Sequence, residues 1–131
     1  PPCRAWLQAL AEITPEVKES SGAALAVVAQ GQDKVDEVTG LLSLPFPVVP
    51  DPEASIPAAL KDDIALVVQE PLYSPDTHPA NLMLQPGILV TDTATGAVLY
   101  SWASVPSEDN FNGAYGRPEV KAMWAEIKAK V

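Results

Sequence analysis

The sequence predicts a single α/β domain, residues 1–131, in which a central mixed sheet is flanked by helices and the chain closes with an antiparallel hairpin and a final helix. Three observations predict it. Apolar residues recur at three- and four-residue steps near both ends of the chain, the spacing of helices with one buried face. Between them, short apolar runs bounded by Gly, Ser and Pro alternate with a further helical pattern, the rhythm of strands joined by crossovers. Two β-rich runs, 87–91 and 97–102, are separated by five residues ending in Gly96, which is hairpin chemistry. A chain of this length suits one core, since domains of about 100–150 residues are the commonest size.

Residues 3 to 20 read as a helix whose Trp6, Leu7, Leu10, Ile13 and Val17 share a side. Pro15 interrupts it, so a bend or a restart capped by Thr14 is expected there. The run from Ala23 to Ala29 does not alternate, which suits a parallel strand covered on both faces. Asp33 is a candidate cap for the next helix, with Val35, Val38 and Leu42 inside and Gly40 weakening its end. A short strand at 47–49 precedes Asp51-Pro52-Glu53, read as cap, first helical proline and first-turn acid of a brief helix through Leu60. Residues 61 to 85 carry three prolines between two apolar patches and read as an irregular surface excursion. After the hairpin, 105–117 reads as a long polar connector, and Pro118 opens the last helix, with Val120, Trp124, Ile127 and Val131 on its inner face.

Seventeen acidic residues against eight basic ones give a net charge of −9, spread along the chain. This argues against nucleic acid, which needs a basic face, and against anionic membranes. The longest apolar run, Ala23–Ala29, falls far short of the roughly 20 residues a membrane-spanning helix requires. With 47% apolar and 19% charged residues the chain has the composition of a packed globule. Localisation has no signal in these residues.

Cys3 is the only cysteine, so within these residues neither a disulfide nor a multi-cysteine zinc site is available. It stands at a predicted helix start, where unpaired amides favour a thiolate, and Arg4 adds a positive charge beside it. The contrasting reading makes Cys3 a buried small hydrophobe. His78, the one histidine, has no partner at metal-ligand spacing, and reads as a loop residue. Trp6, Trp102 and Trp124 fall on apolar faces and are assigned to packing.

Pro1-Pro2-Cys3-Arg4-Ala5-Trp6-Leu7 resembles the end of the Cys-Pro-Pro-Cys-Arg redox motif that opens the first long helix of thioredoxin-like proteins. The first cysteine of such a motif would stand ahead of Pro1, outside the sequence. Val49-Pro50-Asp51-Pro52-Glu53 and the hairpin from Leu89-Val90-Thr91-Asp92 to Gly96-Ala97-Val98-Leu99-Tyr100 are similar to the peroxiredoxin-like group of alkyl hydroperoxide reductases and thiol-specific antioxidant proteins. The resemblance covers nearly the whole chain and implies a thioredoxin-like fold lacking its N-terminal strand or strands. It implies Cys3 as the reacting thiol, with Pro2, Arg4, Gln85 and Pro86 as its neighbours and Pro86 as the cis-proline brought beside it. The implied function is an oxidoreductase acting on a peroxide or a protein disulfide, with no cofactor. The alternative is a redox-inactive module of the same fold that binds a protein partner in a larger assembly.

Overall fold

A computed structural model describes residues 2–69 and 83–131 of the chain. His78 and most of the proline-rich excursion expected between 61 and 85 lie outside the described residues.

The amphipathic pattern at the start forms one helix, α1 (Pro2–Glu19), which runs unbroken across Pro15. The expected restart at Thr14 is not made. The Thr14 hydroxyl donates instead to the Leu10 carbonyl at 2.9 Å, and its side chain is buried at 2% exposure, where a capping geometry would have ended the helix. The apolar run that follows contracts to a three-residue strand, β1 (Ala26–Val28), and is not covered throughout: Ala24, Ala26 and Val28 pack in the core, whereas Leu25 is 58% exposed. Helix α2 (Gln32–Leu42) starts from Gly31 without a side-chain cap. Asp33, expected as the cap, lies in the first turn, where its charge favours the amide end of the helix.

Strand β2 (Val48–Pro50) pairs parallel with β1, Val27 facing Val49. The helix after it, α3 (Ser55–Ala59), begins later than the Asp-Pro-Glu pattern suggests. Pro52 and Glu53 form a turn, and the Asp51 carboxylate reaches forward to accept from the Ser55 and Ile56 amides at 3.0 and 2.8 Å and from the Ser55 hydroxyl at 2.7 Å. Asp51 therefore does a capping residue's work from outside the helix.

Two-residue strands β3 (Val68–Gln69) and β4 (Met83–Leu84) form an antiparallel pair. Strands β5 (Gly87–Thr91) and β6 (Val98–Ala103) form the expected hairpin, with a register shift at Val90/Thr91. Its turn is organised by Asp92, whose carboxylate accepts from the Ala94 amide at 2.8 Å, and by Gly96 at φ +74°. Helix α4 (Val120–Lys128) is capped by Glu119, which accepts from the Lys121 and Ala122 amides. Val131, expected on its inner face, is 71% exposed because the helix ends at Lys128.

The molecule is mixed α/β, but the single central sheet expected from the sequence is not formed among the described residues. β1–β2, β3–β4 and β5–β6 are three separate two-stranded ladders. What joins β1–β2 to β5–β6 is α1. Ile13 and Val17 pack with Val120, Met123, Trp124 and Ile127 of α4 over Ile88, Val90 and Tyr100 of the hairpin. Leu7, Leu10 and Ala11 of the same helix pack over Ala26, Val35, Phe46 and Val48. Leu10 belongs to both clusters, so one helix covers two ladders that share no backbone hydrogen bonds.

Polar contacts lock α1 to α4. Glu16 accepts from Lys128 Nζ at 2.8 Å and from the Trp124 indole N–H at 3.2 Å. The hydrogen bond and charge of Lys128, and then the Trp124 bond, hold the Glu16 carboxyl below the usual carboxylate range.

Candidate functional site

The first turn of α1, the end of β4 at Leu84 with the Gln85-Pro86 link to β5, and the loop before α4 meet around an open cleft of about 360 Å³. Pro2, Cys3, Gln85, Pro86, Phe111 and Arg117 are among the residues that line it. Cys3 and Pro86 thus share one cleft although 82 residues separate them in the chain. Arg4, the other expected neighbour, is exposed and does not line the cleft. On α1 it projects from a different side of the helix than Cys3, since adjacent helical residues do not face one another.

Cys3 is exposed and has no disulfide partner, which sets aside the reading of it as a buried hydrophobe. It lies in the first turn of α1, where backbone amides have no partners within the helix. The described structure contains no cis peptide bond, so Pro86 is trans and the cis-proline assignment is corrected. Pro86 leads strand β5 and its carbonyl accepts from the Ser104 amide at 2.9 Å. This is an ordinary position for proline, which has no N–H to add to a ladder.

The basic group at the sulfur comes from the other end of the chain. Arg117 Nη2 donates to Cys3 Sγ at 3.2 Å. The guanidinium carbon lies 5.2 Å from the centroid of the Trp6 ring, within range of a cation–π contact. Trp6 is itself held: its indole N–H donates to the Pro118 carbonyl at 3.3 Å, and its ring meets Trp102 edge-on at 5.8 Å. A tryptophan assigned to packing alone therefore also seats the cation beside the cysteine.

The loop that delivers Arg117 is more ordered than a polar connector. The Asn110 side chain accepts from the Ser107 and Gly113 amides at 2.8 and 2.9 Å and donates to the Val105 carbonyl at 2.7 Å. Phe111, Asn112 and Gly113 all have positive φ, 50°, 55° and 93°, a run of left-handed residues that is costly outside glycine. Gln85, 3% exposed, donates from Nε2 to the Asn112 carbonyl at 3.2 Å. Its side chain presses on Gly113 so closely that a Cβ there would collide with it, so both the backbone angle and the space require glycine. The turn leaves Phe111 68% exposed on the rim of the cleft, with Tyr115, 61% exposed, 5.9 Å from it.

A second cleft, about 330 Å³, lies between α3 and the segment leading into β3. Among the described residues that line it, Glu53 and Lys61 are the only ionisable ones, and no cysteine, serine, threonine or histidine is present. The cysteine cleft is therefore the candidate site. Among the described residues, no three His, Cys, Asp or Glu side chains are grouped to hold a metal, and no helix is long and apolar enough to cross a membrane.

Sequence reasoning missed Arg117, Trp6 and Phe111 as site residues. Arg117 follows Gly116 and precedes Pro118, which marks a turn but says nothing of what the turn approaches. No family model, curated protein or solved structure matches the chain. The class defined by fold and site is thus a mixed α/β protein with an exposed, arginine-contacted cysteine at a helix start.

Proposed function

We propose that the chain is a thiol redox protein of thioredoxin- or peroxiredoxin-like type, acting on a protein disulfide or a peroxide through Cys3. The observation that carries this reading is the contact of Cys3 Sγ with Arg117 Nη2 at 3.2 Å in an open cleft. The thiolate is the reactive form of cysteine, and a helix amino terminus together with a guanidinium favours it. In exchange with a disulfide, Cys3 sulfur forms a bond to one substrate sulfur while the other leaves as a thiolate and takes a proton from water. A reductant thiol, from a partner protein's dithiol or a small thiol, then attacks the Cys3 sulfur of the mixed disulfide and releases the reduced substrate, and a second reductant thiol attacks the sulfur now bound to Cys3, which frees Cys3 and leaves the reductant as its disulfide. With a peroxide, the sulfur takes one oxygen to become a sulfenic acid and the remainder leaves as water or alcohol.

A second reading has one observation in its favour. Phe111 and Tyr115 stand exposed together beside the cleft, as aromatic side chains do at protein interfaces. Under this reading the chain is a redox-inactive interaction module of a larger assembly.

Intact mass measurement separates the two. Incubation with oxidised glutathione is expected to add one glutathione to the wild-type chain and none to Cys3→Ser. Brief peroxide treatment followed by dimedone is expected to label Cys3 if peroxide is the substrate class. Alkylation of Cys3 no faster than that of free cysteine, with neither adduct, overturns the redox proposal and leaves the interaction module.

A further inference from the structure

Asn112-Gly113 is the one Asn-Gly pair of the chain; the other asparagines precede Leu82 and Phe111. The carboxamide carbon of an asparagine is open to attack by the backbone nitrogen of the next residue. Glycine, having no Cβ, shields that nitrogen least and lets the backbone turn most freely. Asn112 is exposed and lies at φ +55°, so water reaches it. The peptide unit that has to turn, however, is held at both of its polar groups. Its carbonyl, that of Asn112, accepts from Gln85 Nε2 at 3.2 Å, and its amide, that of Gly113, donates to Asn110 Oδ1 at 2.9 Å. Gln85 is 3% exposed and Gly113 is buried against it. Asn110 is fixed in turn by the Ser107 amide and the Val105 carbonyl, and the Asn112 amide donates to the Ser107 carbonyl at 2.8 Å. An exposed carboxamide thus stands next to a nitrogen that the loop keeps occupied.

We infer that Asn112 is a modification site gated by this loop: the carboxamides of Asn110 and Gln85 clamp the Asn112–Gly113 peptide, and when the clamp opens Asn112 deamidates through a succinimide. In that step the Gly113 nitrogen gives up its proton to hydroxide and bonds to the side-chain carbonyl carbon of Asn112. The carboxamide nitrogen takes a proton from water and leaves as ammonia. One water then opens the ring at either of its two carbonyl–nitrogen bonds. Opening on the side-chain side gives aspartate, and opening on the main-chain side gives isoaspartate, whose backbone runs through the former side chain. Either product brings a carboxylate to the cleft that Asn112 lines together with Cys3 and Arg117. Isoaspartate also removes the carbonyl that Gln85 holds, so the loop cannot close again as before. No step involves the Cys3 sulfur, and the inference stands apart from the redox reading.

The test follows residue 112 by peptide mapping with mass spectrometry during incubation at mildly alkaline pH. The wild-type chain in buffer is compared with the same chain in urea and with Asn110→Ala, Asn110→Asp and Gln85→Ala in buffer. Conversion of the folded wild type is expected to be more than about tenfold slower than in urea, because two hydrogen bonds must open together. Asn110→Ala and Gln85→Ala each remove one side of the clamp and should quicken conversion by about fivefold, the factor that one net hydrogen bond represents. Asn110→Asp keeps an acceptor for the Gly113 amide, and should convert more slowly than Asn110→Ala. The products should include isoaspartate, the mark of the succinimide route. Equal rates in buffer and in urea, or aspartate as the sole product, overturn the inference. Folded Asn110→Ala and Gln85→Ala chains that both convert at the wild-type rate overturn it as well. Far-UV circular dichroism identifies a variant that has unfolded; the wild-type comparison with urea and the product analysis then decide without it.

Discussion

Asp51 illustrates how one side chain can take over a role the local sequence assigns elsewhere. It is buried at 5% exposure and accepts three hydrogen bonds from Ser55 and Ile56. Burial opposes its ionisation, but the Ser55 hydroxyl and then the Ile56 and Ser55 amides outweigh it and hold the carboxyl below the ordinary value of 3.8. A carboxyl whose proton affinity is lowered by folding stabilises the protein fully above that ordinary value, and the contribution is lost as pH falls through its lower folded value. Replacing Asp51 with Ala is expected to cost about 1–2 kcal/mol at pH 7, the range for loss of a capping carboxylate. Asp51→Asn should be less destabilising and should flatten the decline in stability below pH 4, which urea unfolding at a series of pH values would show. At Cys3 the same scale is the one the sequence read only halfway. A cysteine at a helix start is legible from local pattern, but the cation beside it is not, because no local pattern relates residue 117 to residue 3.

Among the elements, α1 carries the greatest responsibility. It meets α4 and the β5–β6 hairpin along one side, through Trp6, Ala9, Ile13 and Val17, and the β1–β2 ladder along the other, through Leu7 and Ala11, and its first turn holds the cysteine. The apolar spacing that predicts α1 and α4 is realised, since Ile13, Val17, Val120, Trp124 and Ile127 are all buried. Ile127 is 2% exposed at the centre of the α1–α4 contact. Ile127→Ala is expected to lower stability by about 2–5 kcal/mol through lost burial and the cavity left behind. The measurement is the shift in urea midpoint at unchanged slope; a shift worth less than about 1 kcal/mol would mean that the contact is loose. The strands are less well specified by sequence. Periodicity identified the hairpin and its Gly96 turn, yet it lengthened β1 and merged the ladders, because an apolar run announces burial without naming the strand that will lie beside it.

For the whole molecule, the question is whether ladders without shared hydrogen bonds form one cooperative unit. Leu10 packs in both apolar clusters, and α1 is common to both. Unfolding followed by tryptophan fluorescence is expected to coincide with unfolding followed by far-UV circular dichroism. The three indoles, Trp6, Trp102 and Trp124, all lie on the α4–hairpin side, whereas circular dichroism samples the entire backbone. Two separated transitions would show that the β1–β2 layer melts independently. Coincidence would show that a single helix is sufficient to couple them.

By itself, the sequence determined the mixed α/β class, the positions of α1, α2, α4 and the β5–β6 hairpin, and the presence of one cysteine at a helix start. These are properties of local spacing and turn chemistry, which neighbouring residues settle among themselves. Only the tertiary structure decided that the strands pair as three ladders, that Pro86 is trans, that Arg117 instead of Arg4 meets the sulfur, and that Trp6 holds it there. Each of these depends on which distant segments come together. That is set by the packing of α1 against the rest of the molecule, and no short-range pattern encodes it.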